Sequence, residues 1–248
     1  EDQYDIPVFD SSEYAFDRNQ LYRDSRFSGV DRQGDLQKLA LGVTSRFIND
    51  GSGREVLNLS LGQALYAQER TVTLSTNPQY EPDYQHSRLV SPLVAAVGYY
   101  PLDWLTVDLS TQWNTDKAFF FMEKRETKVT GTHPSGLAFL LRHTKNYTGC
   151  ILNQDCSDTQ DITYTETADL GLIAPINENW KAFGVIRRDI EAGRHLERIA
   201  GIEYESCCWA IRLAYHRHIN SNIDEQDFIN ENRDEFDSGF MLQFVIKG

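Results

Sequence analysis

Apolar and polar residues alternate along most of this chain. Between Leu105 and Asn114 the odd positions are Leu, Val, Leu, Thr and Trp, and the even positions are Thr, Asp, Ser, Gln and Asn. Successive side chains of a β-strand point to opposite faces, so the pattern predicts a strand with one apolar and one polar face. Ten further segments show it, some weakly, and no segment has a clear helical period. The eleven predicted strands are residues 39–47, 57–65, 91–99, 105–114, 118–129, 137–143, 164–172, 180–190, 196–204, 209–215 and 240–246.

The predicted strands are long for a soluble protein, in which about five or six residues are usual. A tilted strand that crosses a membrane needs about nine to eleven residues. Strand length therefore favours the wall of a transmembrane β-barrel. Residues 1–35 are less regular and are predicted to be an irregular strand and loop segment of the barrel, whereas residues 36–248 are predicted to be its antiparallel strands.

The connections between the predicted strands alternate in length, as in outer-membrane barrels with short periplasmic turns and longer extracellular loops. Short turns are predicted at 49–53, 101–103, 131–134, 175–179 and around Ser206, and the longer loops include 68–88, 146–161 and 220–235. Aromatic residues next to the short turns are predicted to form a girdle at the membrane interface. They are Tyr99, Tyr100, Trp104 and Trp180.

Composition excludes some functions and leaves the location open. The 248 residues carry 24 basic and 37 acidic side chains, a net charge of −13, so the chain is not expected to bind nucleic acid. No apolar stretch reaches the roughly 18 to 20 residues of a membrane-spanning helix. The mean hydropathy of −0.49 is typical of a soluble protein. The apolar and polar residues of an alternating membrane strand, however, cancel each other in any hydropathy average. A soluble β-sandwich that binds carbohydrate therefore remains an alternative.

No catalytic motif is found: there is no nucleophile elbow, phosphate-binding glycine loop or metalloprotease helix. His216 and His218 share one strand face, but a polar luminal or rim surface explains them better than a metal site. The expectations are no enzymatic activity, no cofactor and no metal. A general porin or a barrel enzyme such as a phospholipase remains an alternative function.

Four cysteines fall into two sets. Cys150 and Cys156 lie in one predicted extracellular loop and are predicted to form a local disulfide, with two free thiols as the alternative. Cys207 and Cys208 lie at a predicted turn on the other side, where an oxidising periplasm favours disulfides; buried free thiols are the alternative. A membrane thickness separates the two sets in this topology, so they are not expected to bond each other.

Three blocks of sequence resemble the LptD family of LPS-assembly proteins. They are residues 21–35 (LYRDSRFSGVDRQGD) with 39–46 (LALGVTSR), residues 204–212 (YESCCWAIR) and residues 240–248 (FMLQFVIKG). The resemblance implies an all-β antiparallel transmembrane β-barrel of about 26 strands, of which this chain would supply about 11 to 12 in the C-terminal half. It also implies a place in the outer membrane of a Gram-negative bacterium and the insertion of lipopolysaccharide into the outer leaflet, through a polar lumen and a lateral gate.

The resemblance further implies partners and a role for one cysteine pair. The partners are the plug lipoprotein LptE, the N-terminal periplasmic region of LptD and through it the LptA bridge, lipopolysaccharide itself, and the barrel-assembly (BAM) machinery during folding. Cys207 and Cys208 match the vicinal pair that bonds two cysteines of that N-terminal region, whereas Cys150 and Cys156 lie outside the family pattern. Four polar residues are expected to face the lumen: Asp108, Gln112, Asp169 and Arg212.

Overall fold

The protein is built from β-strands, as seen in a computed structural model that describes residues 7–14, 16–34, 37–72, 74, 89–115, 121–150, 162–219 and 236–246. In these ranges the one helical element of the element order is a 3-10 helix, Gln20–Tyr22. The strands are β1 (Lys38–Ile48), β2 (Glu55–Tyr66), β3 (Leu93–Leu102), β4 (Leu105–Asn114), β5 (Phe121–Thr132), β6 (Ala138–Cys150), β7 (Ile162–Pro175), β8 (Trp180–Asp189), β9 (Arg194–Glu205), β10 (Trp209–Ile219) and β11 (Phe236–Ile246).

The eleven strands form one sheet in sequence order, with β1 at one edge and β11 at the other. Each strand pair with a described register is antiparallel, which confirms the predicted all-β antiparallel fold. A single sheet in this order is not the two-sheet arrangement of a β-sandwich. In the described residues, no helix is long and apolar enough to cross a membrane.

The strands contain 10 to 14 residues, and each overlaps one of the eleven predicted segments. Their connections alternate in length for most of the chain. The strands are connected at their two ends. The connections at one end are 49–54, 103–104, 133–137, 176–179 and 206–208, and we call this end of the strands the turn end. The connections at the opposite end, the loop end, are 67–92, 115–120, 151–161, 190–193 and 220–235.

Contacts divide the chain into two compact units. Unit 1 contains residues 1–98, 109–125 and 146–164, and unit 2 contains residues 99–108, 126–145 and 165–248.

In unit 1 the irregular N-terminal segment packs on the sheet. Leu21 has no solvent exposure, and it forms the core of the unit with Ala64, Tyr66 and Val94. Hydrogen bonds hold the same segment to β2 and β4: Arg18 Nη1 donates to Ser60 Oγ over 3.0 Å, and Gln112 Nε2 donates to the Phe16 carbonyl oxygen over 2.6 Å. The N-terminal segment thus covers part of one face of β1 to β4.

Two paired glycines make this packing close. Gly42 of β1 lies directly opposite Gly62 of β2. A Cβ atom on Gly62 would come within 2.7 Å of Leu21 Cδ1, and one on Gly42 would clash with the Tyr22 hydroxyl oxygen. The absence of side chains at both positions therefore lets the 3-10 helix lie against the strand backbones.

In unit 2 the strands β7 to β11 have two faces of different chemistry. The first, which we call the apolar face, carries cross-strand rows such as Ala182, Ile202, Leu213 and Leu242. Its large side chains are exposed, including Leu242 at 75% and Phe240 at 80%. At the turn end four rings of this face form a chain of contacts, with centroids 5.1 to 6.2 Å apart: Trp180, Tyr204, Trp209 and Phe244.

The second face of β7 to β11, which we call the cavity face, carries charged residues. One cross-strand row contains Lys181, Glu203, Arg212 and Gln243 in successive strands. Alternation along the strands places this row opposite to the exposed apolar rows. The sheet of unit 2 is therefore amphipathic across its thickness.

Candidate functional site

The cavity face of unit 2 encloses a cavity of about 780 Å³. Its walls come from β5 to β11, and the middle of the cavity is apolar, with Ile173, Phe183, Val185, Ile199 and Met241. Glycines keep space open beside them: a Cβ atom on Gly171 would make only an ordinary contact, 3.5 Å from Leu140 Cβ. A cavity of this volume accommodates part of a large ligand.

Charged groups border the cavity at the turn end. The Glu203 carboxylate accepts a hydrogen bond from Arg212 Nε and lies 3.8 Å from Lys181 Nζ. Lys181 also donates to Glu205, and Arg212 Nη1 lies 3.4 Å from Gln243 Oε1. Glu203 is buried, and a buried charge is costly unless it is paired. The two cations, Lys181 and Arg212, compensate its negative charge.

A second charged cluster lies on the same face towards the loop end. Asp169 Oδ2 lies 3.3 Å from Arg142 Nε, and Asp169 Oδ1 accepts a hydrogen bond from Arg187 Nε over 3.2 Å. Arg187 Nη1 also lies 3.5 Å from Glu197, whose other carboxylate oxygen lies 3.1 Å from His216 Nε2. The cavity face therefore carries two ion-pair clusters with apolar residues between them.

This arrangement presents many hydrogen-bonding groups beside apolar surface. Guanidinium groups can donate hydrogen bonds to anionic or hydroxyl oxygens, carboxylates can accept hydrogen bonds from hydroxyl groups, and the apolar residues can contact carbon-rich parts of a ligand. In the described residues, no group of three or more His, Cys, Asp or Glu side chains could hold a metal ion. Neither the lack of enzymatic activity nor the lack of a cofactor is tested by this, and both stay predictions.

Two of the four residues predicted to face a lumen take part in these clusters. Asp169 is central to the loop-end cluster and Arg212 to the turn-end cluster. The other two lie on β4: Gln112 is buried and bonds the N-terminal segment, and Asp108 is half-buried. All four side chains lie on polar strand faces, and their exposure to a lumen stays a prediction.

The vicinal cysteines occupy the tight turn between β9 and β10. Ser206 N donates to the Trp209 carbonyl oxygen over 2.8 Å, which leaves Cys207 and Cys208 as a two-residue loop. Asn179 fixes the neighbouring turn to this one, because its side-chain amide donates to the Glu205 carbonyl oxygen over 2.9 Å. Both thiols are exposed and free in this chain, with the sulfur atoms 3.0 Å apart, and their disulfides to other cysteines stay a prediction.

The two thiols differ in acidity. Hydrogen bonds from Cys208 and then Ser206 lower the pKa of the Cys207 thiol, and the bond to Cys207 raises the pKa of the Cys208 thiol. A lower pKa increases the thiolate fraction, and the thiolate is the species that attacks disulfides and alkylating reagents. We therefore expect Cys207 to be the more reactive thiol of the pair.

This difference predicts the order of alkylation in the reduced protein. Iodoacetamide is expected to modify Cys207 before Cys208 at a pH of about 7 to 8, below the usual thiol pKa. Cys208→Ala removes the main hydrogen-bond donor, so the midpoint of the pH–rate profile of Cys207 should move to higher pH. Peptide mass spectrometry measures both rates. Ser206→Ala, whose hydroxyl lies 4.0 Å from the Cys207 sulfur, should give a smaller shift; equal midpoints in all three proteins would contradict the prediction.

The predicted disulfide between Cys150 and Cys156 lies outside the residues whose side chains the structure describes. His216 and His218 do share a face, with stacked rings 4.6 Å apart, and His216 bonds Glu197.

Comparison with known proteins identifies the family. A family model described as LptD, LPS transport system D, matches residues 1–180. The chain belongs to the LptD family. An LPS-assembly protein LptD of Shewanella frigidimarina is 34% identical over the whole chain, which covers 31% of that relative. The LptD of Pseudoalteromonas atlantica is 35% identical over 29% of its length, and that of Xanthomonas euvesicatoria is 32% identical over 28%. The chain thus spans about three tenths of the length of these LptD relatives.

Sequence reasoning missed most members of the two charged clusters on the cavity face of this chain. Arg142, Arg187 and Glu197 stand in three different strands, so only the strand register brings them to Asp169. The signal that could have pointed to them is the placement of acidic residues on one strand face, as at the odd positions Glu197, Glu203 and Glu205 of β9. No pattern in the sequence indicated that Leu21 packs on the glycine pair Gly42 and Gly62.

Proposed function

We propose that this chain is part of the wall of an outer-membrane β-barrel that inserts lipopolysaccharide into the outer leaflet. The observation that carries the proposal is the match of the whole chain to LPS-assembly proteins of the LptD family. The proposed orientation puts the turn end in the periplasm and the loop end outside the cell. The short connections of the turn end and the longer ones of the loop end support it.

The apolar face supports the membrane location. Its exposed Leu, Ile and Phe side chains would be unfavourable in water and are suited to acyl chains. The aromatic rings at the turn end, from Trp180 to Phe244, suit the membrane interface. Strands of 10 to 14 residues are long enough to cross the hydrocarbon core when tilted.

The cavity face supports a lumen through which a hydrophilic headgroup passes. Asp108, Gln112, Asp169 and Arg212 are proposed to face this lumen, and the two ion-pair clusters would hydrogen-bond sugar and phosphate groups. The acyl chains would reach the bilayer through a lateral gate between strands. The two clusters contain arginines as well as acids, among them Arg142 and Arg212. An anionic lipid in the lumen would therefore have positive groups to bind, despite the net charge of −13.

The partners belong to the same proposal. LptE would plug the barrel, the N-terminal periplasmic region of LptD would receive lipid from the LptA bridge, and the BAM machinery would assist folding. Cys207 and Cys208 would bond two cysteines of that periplasmic region. Their exposure at the turn end, on the proposed periplasmic side, supports this assignment.

Filling the cavity tests the proposed passage. Gly171→Trp in the full-length protein puts an indole ring into the cavity, since space is open beside Gly171. Cells that depend on this variant are expected to show severalfold less lipopolysaccharide at the surface, measured by labelling intact cells.

The matched control is Ala200→Trp, which adds the same ring to an exposed position on the apolar face. It should leave surface lipopolysaccharide unchanged. Heat-modifiable gel migration checks that both variants fold. Normal lipopolysaccharide levels in a folded Gly171→Trp protein would contradict passage through this cavity.

A further inference from the structure

A group of basic side chains lies where the apolar face meets the loop end. Arg198 of β9 stands directly opposite Arg217 of β10, and Arg188 of β8 stands opposite His195 of β9. Like charges directly opposite each other in neighbouring strands destabilise a sheet. The pairing of Arg198 with Arg217 therefore calls for a negative group that the strands themselves do not supply.

The described part of the chain contains no carboxylate in ion-pair contact with Arg188, Arg198 or Arg217. The guanidinium of Arg217 instead lies 4.4 Å above the ring centre of Phe236. Glu197 is the neighbouring acid, but its carboxylate is bound to Arg187 and His216 on the cavity face. Among the residues that the structure describes, no carboxylate thus compensates the two opposed arginines on the apolar face.

These side chains also enclose space. Arg194, His195, Glu197, Arg198, Arg217 and Phe236 line a pocket of about 250 Å³, which we call the basic pocket. Its volume suits one phosphate group with its water. One nitrogen of the imidazole ring, His195 Nδ1, is buried with no hydrogen-bond partner in the described residues, so it can bond an incoming group.

The position of the basic pocket matches a lipid headgroup. Arg217 lies eight residues along β10 from Trp209, which belongs to the aromatic chain at the turn end. Eight residues of strand span about 27 Å, or roughly 20 Å of membrane thickness when the strand is tilted by about 40°. The exposed side chains between them, Leu213 and Tyr215, are suited to acyl chains. Arg217 therefore lies near the interface opposite to the aromatic chain.

We propose that the basic pocket binds the phosphate group of a membrane lipid whose acyl chains lie on the apolar face. The proposal rests on the proposed membrane location of that face, and in the proposed orientation the leaflet concerned is the outer one. Arginine pairs bind phosphate through parallel, charge-assisted hydrogen bonds, and Phe236 holds one guanidinium in place. The bound lipid would belong to the surrounding leaflet rather than to the passage through the cavity.

Native mass spectrometry of the full-length protein with its partner, purified in detergent, tests the proposal. The probe is diphosphorylated lipid A, with chemically dephosphorylated lipid A and inorganic phosphate as comparison ligands. Arg198→Gln with Arg217→Gln is expected to weaken binding of the phosphorylated lipid at least about tenfold, because several charge-assisted hydrogen bonds are lost. The matched control, Arg46→Gln with Arg125→Gln, removes two arginines that are exposed elsewhere and should bind as the unmodified protein does.

Thermal stability gives a second readout, which distinguishes loss of lipid binding from loss of folding. Without lipid, Arg198→Gln should be at least as heat-stable as the unmodified protein, because the repulsion from Arg217 is relieved. Added phosphorylated lipid should stabilise the unmodified protein and not the double variant.

Three results would overturn the proposal: equal lipid binding by the double variant, equal retention of the dephosphorylated lipid, or occupancy by inorganic phosphate alone. These measurements use purified protein, so their failure leaves the proposed delivery of lipopolysaccharide untouched. Normal surface lipopolysaccharide in cells that lack the protein would contradict the proposed function, and lipid binding would still be measurable.

Discussion

Replacing both Cys207 and Cys208 with serine in the full-length protein is expected to remove the disulfides proposed to link it to the N-terminal periplasmic region and to cause a severe loss of surface lipopolysaccharide. Both thiols are exposed in a two-residue loop, so serine fits there without disturbing β9 or β10. Each disulfide between distant parts of a chain typically contributes about 2 to 4 kcal/mol to the free energy of unfolding. Losing two would uncouple the region proposed to receive lipid from the wall proposed to release it.

Peptide mapping under non-reducing conditions measures the links directly. Each single variant, Cys207→Ser or Cys208→Ser, retains one link and should deliver an intermediate amount of lipopolysaccharide. Ser206→Ala changes the same turn without removing a thiol and should retain both links. Two free thiols in the mature protein, together with normal lipid delivery, would be incompatible with the proposed role.

The second-largest effect is expected on the stability of the fold, when the ion pairs of the turn-end cluster are broken. Glu203→Leu keeps the side-chain volume but leaves Arg212 and Lys181 without their shared carboxylate beside the cavity. Removing one partner of a fully buried pair costs about 3 to 5 kcal/mol, and exposed pairs contribute less than about 1 kcal/mol. Because the two cations are partly exposed, we expect a loss of about 1 to 3 kcal/mol.

The temperature at which the folded gel band disappears measures this loss in the purified protein. The double variant Glu203→Leu with Arg212→Leu removes the uncompensated guanidinium as well, so it should recover part of the lost stability. A double-mutant cycle then isolates the coupling between the two residues. Additive effects of the two single changes would show that Glu203 and Arg212 do not stabilise the wall as a pair.

Much of the fold was predictable because its strands are long and two-faced. Alternation alone located both ends of β4 and the start of β10, which continues four residues beyond the predicted segment to Ile219. Turn residues such as Asn49 and Gly53 located the first hairpin. The least regular pattern, at residues 118–129, ended three residues before the end of β5 at Thr132, and its first three residues lie outside the described residues. Charged residues on both faces of that segment obscure its period.

The candidate site was less predictable because it depends on register. Asp169 and Arg212 follow from alternation within one strand, but their partners come from other strands. A shift of one residue in pairing would turn Arg187 away from Asp169, and no single strand contains that information. The opposed arginines Arg198 and Arg217 escaped notice for the same reason. The turn that holds the vicinal cysteines was predictable, because a turn depends on local sequence.

The order of the strands also has a consequence for assembly. Every strand neighbours the strand before it in sequence, so each hairpin closes a loop between adjacent segments and the wall can grow by adding one strand after another. At each stage the newest strand exposes an unpaired edge, which invites aggregation unless another protein covers it. Cys207 and Cys208 lie in the hairpin of β9 and β10. In this order of growth, the disulfides proposed for these thiols would therefore follow the pairing of the strands of this chain up to β10.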